Sequence, residues 1–288
     1  MVRKAVIPAS GLGTRFLPAT KVIPKEMLSV VDRPTIQYIV QEAVQSGIEE
    51  IIFIVSKGKS AIIEHFEPAL ELEKKLETDG MKDLLKVLRD TNVSVKIKSV
   101  NQEVPLGLGD AILCAKEFVG DEPFVVLLGD DLVDSAVPCS RQMMEVFSKH
   151  QKSIVSLVRV SDEDIDQYGI CGGHSVEERV YSLDTMVEKP TLSEAPSNLA
   201  IIGRYLLKPS IFKYLEQSKR SPEGILQLTD AMSKMMKVEG FIGYEFEGDR
   251  YDAGDKFGLI QANIAFGLKR IDIRQRLKAY MRDVLERV

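Results

Sequence analysis

The sequence contains no tryptophan and only three cysteines and three histidines. Because Cys114, Cys139 and Cys171 are far apart and form no CxxC pair, we expect neither a disulfide framework nor a structural zinc site. Long apolar runs are also missing: the longest, residues 51–55 and 124–128, have the length of a strand, whereas a helix needs ~20 apolar residues to cross a bilayer. No signal peptide is recognisable at the amino terminus. We therefore expect a soluble, cytoplasmic protein that does not bind membranes.

The chain also lacks an excess of positive charge. Its 38 Lys and Arg residues face 43 Asp and Glu residues, which gives a net charge of −5. This balance argues against a protein that binds nucleic acid through its overall charge, but it leaves room for a local basic pocket that holds one small anion. The 288 residues, 44% of them hydrophobic, are enough for one large domain or two small ones.

Strand and helix patterns alternate in the first half of the chain. Apolar runs at residues 2–9, 50–55, 93–100 and 123–128 predict buried strands, and residues 35–46 form an amphipathic helix that ends at Gly47. Buried strands separated by helices indicate an α/β fold with a mixed, mainly parallel sheet covered by helices on both faces. Ligands of such sheets bind beyond the carboxyl ends of the strands. The second half predicts further strands at 153–160, 180–188, 199–206 and 240–246.

Two helical segments lie outside this alternation. Residues 64–90 are heavily charged and predict a solvated helical insert within a single domain that covers residues 1–267. Residues 268–288 predict a carboxyl-terminal helix whose apolar stripe, at positions 273, 277, 280, 281, 284 and 288, docks on its own domain or on a second subunit.

The loop after the first strand, residues 9–28, is the strongest local signal. Gly11 and Gly13 allow the backbone to approach a ligand and to turn N–H groups towards an anion. Arg15 and Lys25 add a planar fork and a point charge that suit a triphosphate. A dinucleotide-binding fingerprint would need glycine in place of Phe16, which argues against a dehydrogenase. A P-loop ending at residues 58–60 would likewise need glycine at position 53, where the chain has phenylalanine.

Three further segments follow predicted strands. Gln102, with Gly107 behind it, offers the acceptor and the donors that match the edge of a pyrimidine. Asp130 and Asp131 place paired carboxylates at a strand end, where Mg²⁺ would bind them together with substrate phosphates. Residues 188–189, a glutamate and a lysine, offer an acceptor for hydroxyls and a cation for a phosphate.

Together these segments resemble one family closely. The run from Gly11 to Leu28, with Gln102, residues 129–130, 168–169, 187–190 and 251–254, resembles the bacterial UTP–glucose-1-phosphate uridylyltransferases, and the resemblance extends from residue 3 to about residue 267. It implies a Rossmann-like nucleotide-diphospho-sugar transferase fold, a homodimer or homotetramer, and Mg²⁺-assisted formation of UDP-glucose and pyrophosphate from UTP and glucose 1-phosphate.

The resemblance also implies roles for individual residues. Those expected to bind the nucleotide are Ala9, Ser10, Gly11, Gly13, Thr14, Glu26, Gln102 and Gly107. Those expected to bind the sugar phosphate are Gly169, Glu188, Lys189 and Gly203. Arg15 and Lys25 are the expected catalytic residues, and Asp130 and Asp252 the expected metal ligands, although the sequence leaves Asp131 open as an alternative to Asp130.

Three positions depart from the family pattern. Ser10 and Ser29 stand where alanine and proline are usual, and both replacements are tolerable if only backbone atoms contact the ligand. Asp110 stands where the family usually has histidine, which places an extra carboxylate near the expected uracil pocket. Two other functions stay open: transfer of a different nucleotide on the same fold, and a non-catalytic regulatory subunit.

Overall fold

A computed structural model describes residues 1–287. Its strands are β1 (Lys4–Ala9), β2 (Ser29–Val30), β3 (Arg33–Pro34), β4 (Glu50–Val55), β5 (Lys96–Asn101), β6 (Phe124–Leu127), β7 (Asp131–Asp134), β8 (Ser153–Arg159), β9 (Gly169–Glu177), β10 (Val180–Glu188), β11 (Leu199–Leu207), β12 (Phe241–Glu245) and β13 (Asp249–Asp252). Its α-helices are α1 (Thr35–Gln45), α2 (Ala61–Glu64), α3 (Leu70–Thr78), α4 (Lys82–Arg89), α5 (Leu108–Cys114), α6 (Lys116–Val119), α7 (Cys139–His150), α8 (Ile211–Glu216), α9 (Leu228–Glu239), α10 (Lys256–Lys269) and α11 (Arg274–Arg287).

Nine strands form one sheet in the order β5-β4-β1-β6-β11-β8-β12-β10-β9. Strands β5, β4, β1 and β6 are parallel to one another, and β11 pairs antiparallel with both β6 and β8. Beyond β11, β8 and β12 are parallel, whereas β10 is antiparallel to both of its neighbours. The predicted α/β fold is confirmed, but parallel pairing is concentrated in the first half of the sheet and does not dominate the second.

Apolar side chains on both faces hold the sheet together. Strands β6 and β11 are buried at every residue, which explains why β6 is a continuous apolar run and why β11 carries only one charged residue, Arg204, which pairs with Glu42. One core packs β1 and β4 against α1 and α7, and a second core on the other face packs β6 and β11 against α5, α8 and α9. The shared central strands bring the loops after β1, β5 and β6 to one edge of the sheet.

Neither strand β9 nor the pairing of β7 with β13 was predicted. Strand β9 is buried only in its first four residues, so its sequence shows no sustained strand pattern. The two-stranded sheet of β7 and β13 joins segments more than 100 residues apart, with Asp131 opposite Asp252. This small sheet matters for function because it brings two of the expected site segments side by side.

The predicted insert, residues 64–90, begins at the last residue of α2 and contains the pair α3 and α4. The pair is joined by Arg89, which bonds Glu73 from Nε at 2.8 Å and Glu77 from Nη2 at 2.5 Å. Most of its side chains face solvent. Residues 70–89 therefore form a helical pair with mostly exposed side chains, while their assignment to an insert within a single domain stays a prediction.

The terminal helix α11 packs on α10 at one end only. Ile273 and Leu277 are partly buried near Gly267, whereas Tyr280 and Val284 are exposed by 66% and 37%. The predicted stripe also includes residue 288, which lies outside the described residues. Within residues 1–287, no helix combines the length and the apolar character needed to span a membrane.

Candidate active site

The loop after β1 turns sharply at Gly13. Its φ of 67° lies in the left-handed region, and a Cβ at this position would come within 3.1 Å of Lys25 Cβ. Thr20 fixes the turn by donating from its hydroxyl to the Gly13 carbonyl at 2.6 Å. Thr14 and Arg15 follow in an exposed 3-10 turn. Glycine at position 13 therefore lets the loop fold back over Lys25.

A buried lysine ties this loop to the rest of the sheet. Lys59, which follows β4, donates from Nζ to the carbonyl oxygens of Ala9 and Gly11, both at 2.6 Å. The same ammonium group lies 2.9 and 3.1 Å from the two carboxylate oxygens of Glu26. In the sequence, Lys59 belongs only to an incomplete P-loop pattern, and nothing local shows that this lysine is buried.

Glu26 is fully buried, and Lys59 occupies both of its carboxylate oxygens. Burial raises the pKa of Glu26, although the charges of Lys59 and Lys25 oppose the rise, and burial likewise lowers the pKa of Lys59. Glu26 therefore has a structural role, since this carboxylate compensates the buried lysine that holds the loop. Its role at the uracil edge stays a prediction.

The expected base pocket is a cavity of about 340 Å³ beside this loop. Seven of the predicted site residues line it together: Ser10, Gly11, Lys25, Glu26, Gln102, Gly107 and Asp130. Gln102 is 2% exposed and accepts a hydrogen bond from the Ser10 hydroxyl. Gly107, with a φ of 98°, lies so close to Leu226 that a Cβ would be 2.8 Å from its carbonyl oxygen. The two predicted loops thus meet in one cavity.

Lys25 and Asp130 form an ion pair at the floor of this cavity. Burial raises the pKa of Asp130, but the charge of Lys25 and its hydrogen bond more than offset that effect, so the pKa lies below its usual value. The more distant charge of Arg15 acts in the same direction. Asp130 is consequently held as a carboxylate.

Asp130 and Asp252 converge on the backbone of Gly254. A Cβ at Gly254 would lie 2.7 Å from Asp130 Oδ2 and 2.9 Å from Asp252 Oδ1. Within residues 1–287, no cluster of three or more acidic, histidine or cysteine side chains forms a metal cage. Two convergent carboxylates nevertheless fit Mg²⁺, which binds one or two protein carboxylates and takes its other ligands from substrate phosphates and water.

Asp131, which lies opposite Asp252 in the register of β7 and β13, is already bonded on both oxygens. Its Oδ2 accepts from the Gly203 backbone N–H at 2.8 Å, and Arg250 donates to both oxygens, at 2.9 and 3.1 Å. The side chain is 4% exposed. These bonds favour Asp130 over Asp131 as the metal ligand.

Arg250 was not among the predicted site residues. It connects the carboxylates of Asp131 and Asp252 to Tyr168, the neighbour of the expected sugar residue Gly169. It donates to the Tyr168 hydroxyl at 3.0 Å, and its guanidinium carbon lies 5.1 Å from the centre of that ring. A longer bond of 3.3 Å reaches Asp252. Burial lowers the pKa of Arg250, but the charge of Asp131 and its hydrogen bonds raise it by more, so this arginine stays charged.

The residues expected to bind sugar lie on β9, β10 and β11. Gly169 is opposite Glu188 in the sheet register, and Thr229 of α9 donates to Glu188 Oε2 at 2.6 Å. Lys189 is exposed, with a φ of 45°. A Cβ at Gly203 would lie 2.8 Å from the Asp131 side chain. Only glycine therefore permits the contact that joins β11 to β7.

Comparisons with known proteins agree with this geometry. The sequence profile of the nucleotidyl transferase family matches residues 4–266. A UTP–glucose-1-phosphate uridylyltransferase of Bacillus subtilis is 46% identical, over 99% of this chain and 98% of that protein.

Two solved structures are similar over their whole length. A UTP-bound UDP-glucose pyrophosphorylase from Acinetobacter baumannii has a TM-score of 0.90 at 40% identity, over 98% of this chain and 99% of that one. A UDP-glucose pyrophosphorylase complexed with UDP-glucose has a TM-score of 0.86 at 40% identity, over 94% of this chain and 100% of that one. The resemblance inferred from the loop motifs is confirmed: the chain belongs to the nucleotidyl transferase family, within the group of UTP–glucose-1-phosphate uridylyltransferases.

Proposed function

We propose that this chain forms UDP-glucose and pyrophosphate from UTP and glucose 1-phosphate. The observation that carries the proposal is the single cavity that joins a pyrimidine-matching glutamine, Gln102, to the ion pair of Lys25 and Asp130. The names of the relatives, which are full-length matches, support the choice of UTP and glucose.

The reaction follows from the charges of the two substrates. A phosphate oxygen of glucose 1-phosphate attacks the α-phosphorus of UTP, the bond between the α-phosphorus and the bridging oxygen breaks, and pyrophosphate leaves. Because the attacking oxygen is already ionised near pH 7, no general base or covalent nucleophile is needed. The protein must instead position two anions and neutralise their repulsion. Lys25, which lines the cavity, and Arg15, which is exposed in the loop after β1, would supply the required positive charge.

Asp130 and Asp252 are the residues that would hold Mg²⁺. When bound, the cation supplies charge stabilisation for the phosphate oxygens. Lys25 contributes at the same place, because it pairs with Asp130 and keeps that carboxylate ionised. Asp252 is kept in position by the Gly254 N–H, which donates to Oδ1 at 2.9 Å.

The nucleotide and the sugar would occupy different halves of the site. Ala9, Ser10, Gly11, Gly13 and Thr14 would bind UTP mainly through the backbone, while Gln102 and Gly107 read the base. Glu188 would accept hydrogen bonds from glucose hydroxyls, since its carboxylate is oriented by Thr229. Gly169 and Gly203 would also contact the glucose, and Lys189 would bind its phosphate.

We also propose a homo-oligomer, a dimer or tetramer, formed partly through residues 268–288, which carry the exposed side chains of Tyr280 and Val284 beyond the single domain of residues 1–267. The small-molecule substrates and the negative net charge favour a cytoplasmic enzyme with neither a nucleic-acid nor a membrane partner.

Pyrophosphate release with each nucleoside triphosphate tests the proposal. The purified chain is incubated with Mg²⁺, glucose 1-phosphate and UTP, dTTP, CTP or ATP in turn. We expect a strong preference for UTP that is lost when the sugar phosphate is omitted or when EDTA removes the metal. Preference for another nucleotide would overturn the assigned base, and no release with any of them would favour a regulatory subunit.

A further inference from the structure

The side chain of Gln102 is bonded on both sides of its amide. Its Oε1 accepts from the Ser10 hydroxyl, and its Nε2 donates to Asp110 Oδ2 at 2.7 Å. The other oxygen of Asp110 accepts from Arg220 at 2.5 Å. Both Ser10 and Asp110 are positions at which this chain departs from the family pattern, and both departures converge on the same glutamine.

These bonds leave Gln102 one acceptor and one donor for a ligand. An amide oxygen has two lone pairs and an amide nitrogen has two hydrogens. Ser10 uses one lone pair and Asp110 uses one hydrogen, and Gln102 lines the cavity. The orientation of the amide therefore decides which ligand edge it can meet.

Uracil and cytosine present reversed edges to such an amide. Uracil has a donor at N3 and an acceptor at O4, whereas cytosine has an acceptor at N3 and a donor at N4. A glutamine whose amide is free to turn by half a rotation would match either base, because this terminal torsion has a broad, roughly two-fold preference. A glutamine alone therefore distinguishes the two bases poorly.

Asp110 opposes that half rotation and Ser10 does not. An ionised carboxylate only accepts hydrogen bonds, so turning the amide would place Gln102 Oε1 against Asp110 Oδ2 and lose a bond. The Ser10 hydroxyl can donate or accept, so it can follow either orientation. Arg220 forms an ion pair with the other oxygen of Asp110.

We propose that Asp110 is a specificity-determining positioning residue: it holds the Gln102 amide in the orientation that pairs with uracil and disfavours cytosine. The inference rests on the proposed function, since it concerns how the same site selects UTP. It assigns a role to the carboxylate that replaces the family's usual histidine.

The test compares UTP, CTP and dTTP in Asp110→Asn and in Ser10→Ala. Asparagine has the same shape as aspartate but can donate as well as accept, so it permits both orientations of Gln102. For Asp110→Asn we expect the ratio of kcat/KM for UTP to that for CTP to fall by about tenfold or more, through a gain with CTP. Ser10→Ala should keep this ratio within about twofold, because the hydroxyl enforces neither orientation.

The ratio of UTP to dTTP serves as an internal control. Thymine shows the same N3 and O4 edge as uracil, so Asp110→Asn should leave this ratio unchanged. A UTP-to-CTP ratio that stays constant, or one that falls without any gain for CTP, would overturn the inference. Binding of UMP and CMP, measured by calorimetry on the same variants, reports the preference independently of turnover. If the wild-type chain fails to turn over UTP, the proposed function fails, whereas the binding ratio still decides the role of Asp110.

Discussion

Arg250 and Asp131 form a two-point ion pair, with Nε donating to Oδ1 at 2.9 Å and Nη2 donating to Oδ2 at 3.1 Å. The pair assigns different tasks to two adjacent aspartates. Asp131 anchors β7 to β13 and to Gly203, while Asp130 keeps its carboxylate in the cavity.

The two aspartates should respond differently to neutralisation. In Asp130→Asn, the Mg²⁺ concentration for half-maximal activity should rise by about 10–100-fold, since a metal ligand is weakened. Asp131→Asn should change this concentration little but lose about 1–3 kcal/mol of unfolding free energy, because Arg250 loses its two-point ion pair and keeps only its bonds to Tyr168 and Asp252. Metal titrations of activity and denaturant unfolding of both variants check this, and the opposite pattern would make Asp131 the ligand.

Removing the charge of Lys25 should reduce turnover without unfolding the chain. Lys25→Ala removes the partly buried cation that would stabilise the substrate phosphates, so we expect kcat to fall by about 10²–10³-fold. Lys21→Ala is the matched control, because Lys21 belongs to the same loop but is exposed. Pyrophosphate release and circular dichroism measure the two effects, and normal turnover in Lys25→Ala would remove this residue from the mechanism.

Lys59 should matter through the shape of the nucleotide loop. Lys59→Met frees the carbonyl groups of Ala9 and Gly11 and leaves buried Glu26 unpaired, so we expect a higher KM for UTP and a loss of about 3–5 kcal/mol of unfolding free energy. In the double variant Lys59→Met, Glu26→Gln, the buried charge is gone and part of this stability should return. Thermal unfolding and initial rates measure both effects. Equal stability of the single and double variants would contradict the pairing.

Cys171 should make the protein less stable in alkali. Burial raises the pKa of this thiol from 9.0 to about 12. Between these values the unfolded chain has lost the proton that the folded chain retains, so the unfolding free energy falls by about 1.4 kcal/mol per pH unit.

Cys171→Ala should reduce that slope. Urea unfolding at pH 9.5 and 10.5 should show a difference of about 1.4 kcal/mol per pH unit between the slopes of the two proteins. The cavity that alanine leaves lowers the unfolding free energy by the same amount at every pH, so it does not affect the comparison of the two slopes. Parallel slopes would show that the thiol titrates normally in the folded state.

Local sequence predicts the parts of this molecule whose physical cause is local. Strand β6 is apolar throughout, and β4 is apolar after its first residue, Glu50, because both faces of these strands are covered; that pattern is visible in the chain itself. Strand β9 escaped prediction because its second half is polar and exposed, and it is held by its pairing with β10. The small sheet of β7 and β13 forms only because the fold brings together two segments that are more than 100 residues apart in sequence.

The same distinction applies to the site. Gly13, Lys25 and Asp130 could be proposed from the sequence as site residues because each belongs to a motif that follows a recognisable strand: the loop after β1 for Gly13 and Lys25, and the end of β6 for Asp130. Lys59 and Arg250 could not, since a buried cation and a solvated one look alike in sequence, and only the fold decides which one meets a buried carboxylate. The sequence shows that Asp110 departs from the family pattern, but only the structure shows its hydrogen bond with Gln102.

Strand β11 is the one strand that borders both halves of the large sheet, antiparallel to its neighbours on either side. The nucleotide loops follow the parallel strands before it, and the expected sugar residues Gly169 and Glu188 lie on strands beyond it. On the proposed roles, substitutions in β9 and β10 should change which sugar phosphate is accepted and leave the nucleotide pocket intact. The proposed site would then be modular, with the nucleotide read on one side of β11 and most of the sugar contacts made on the other.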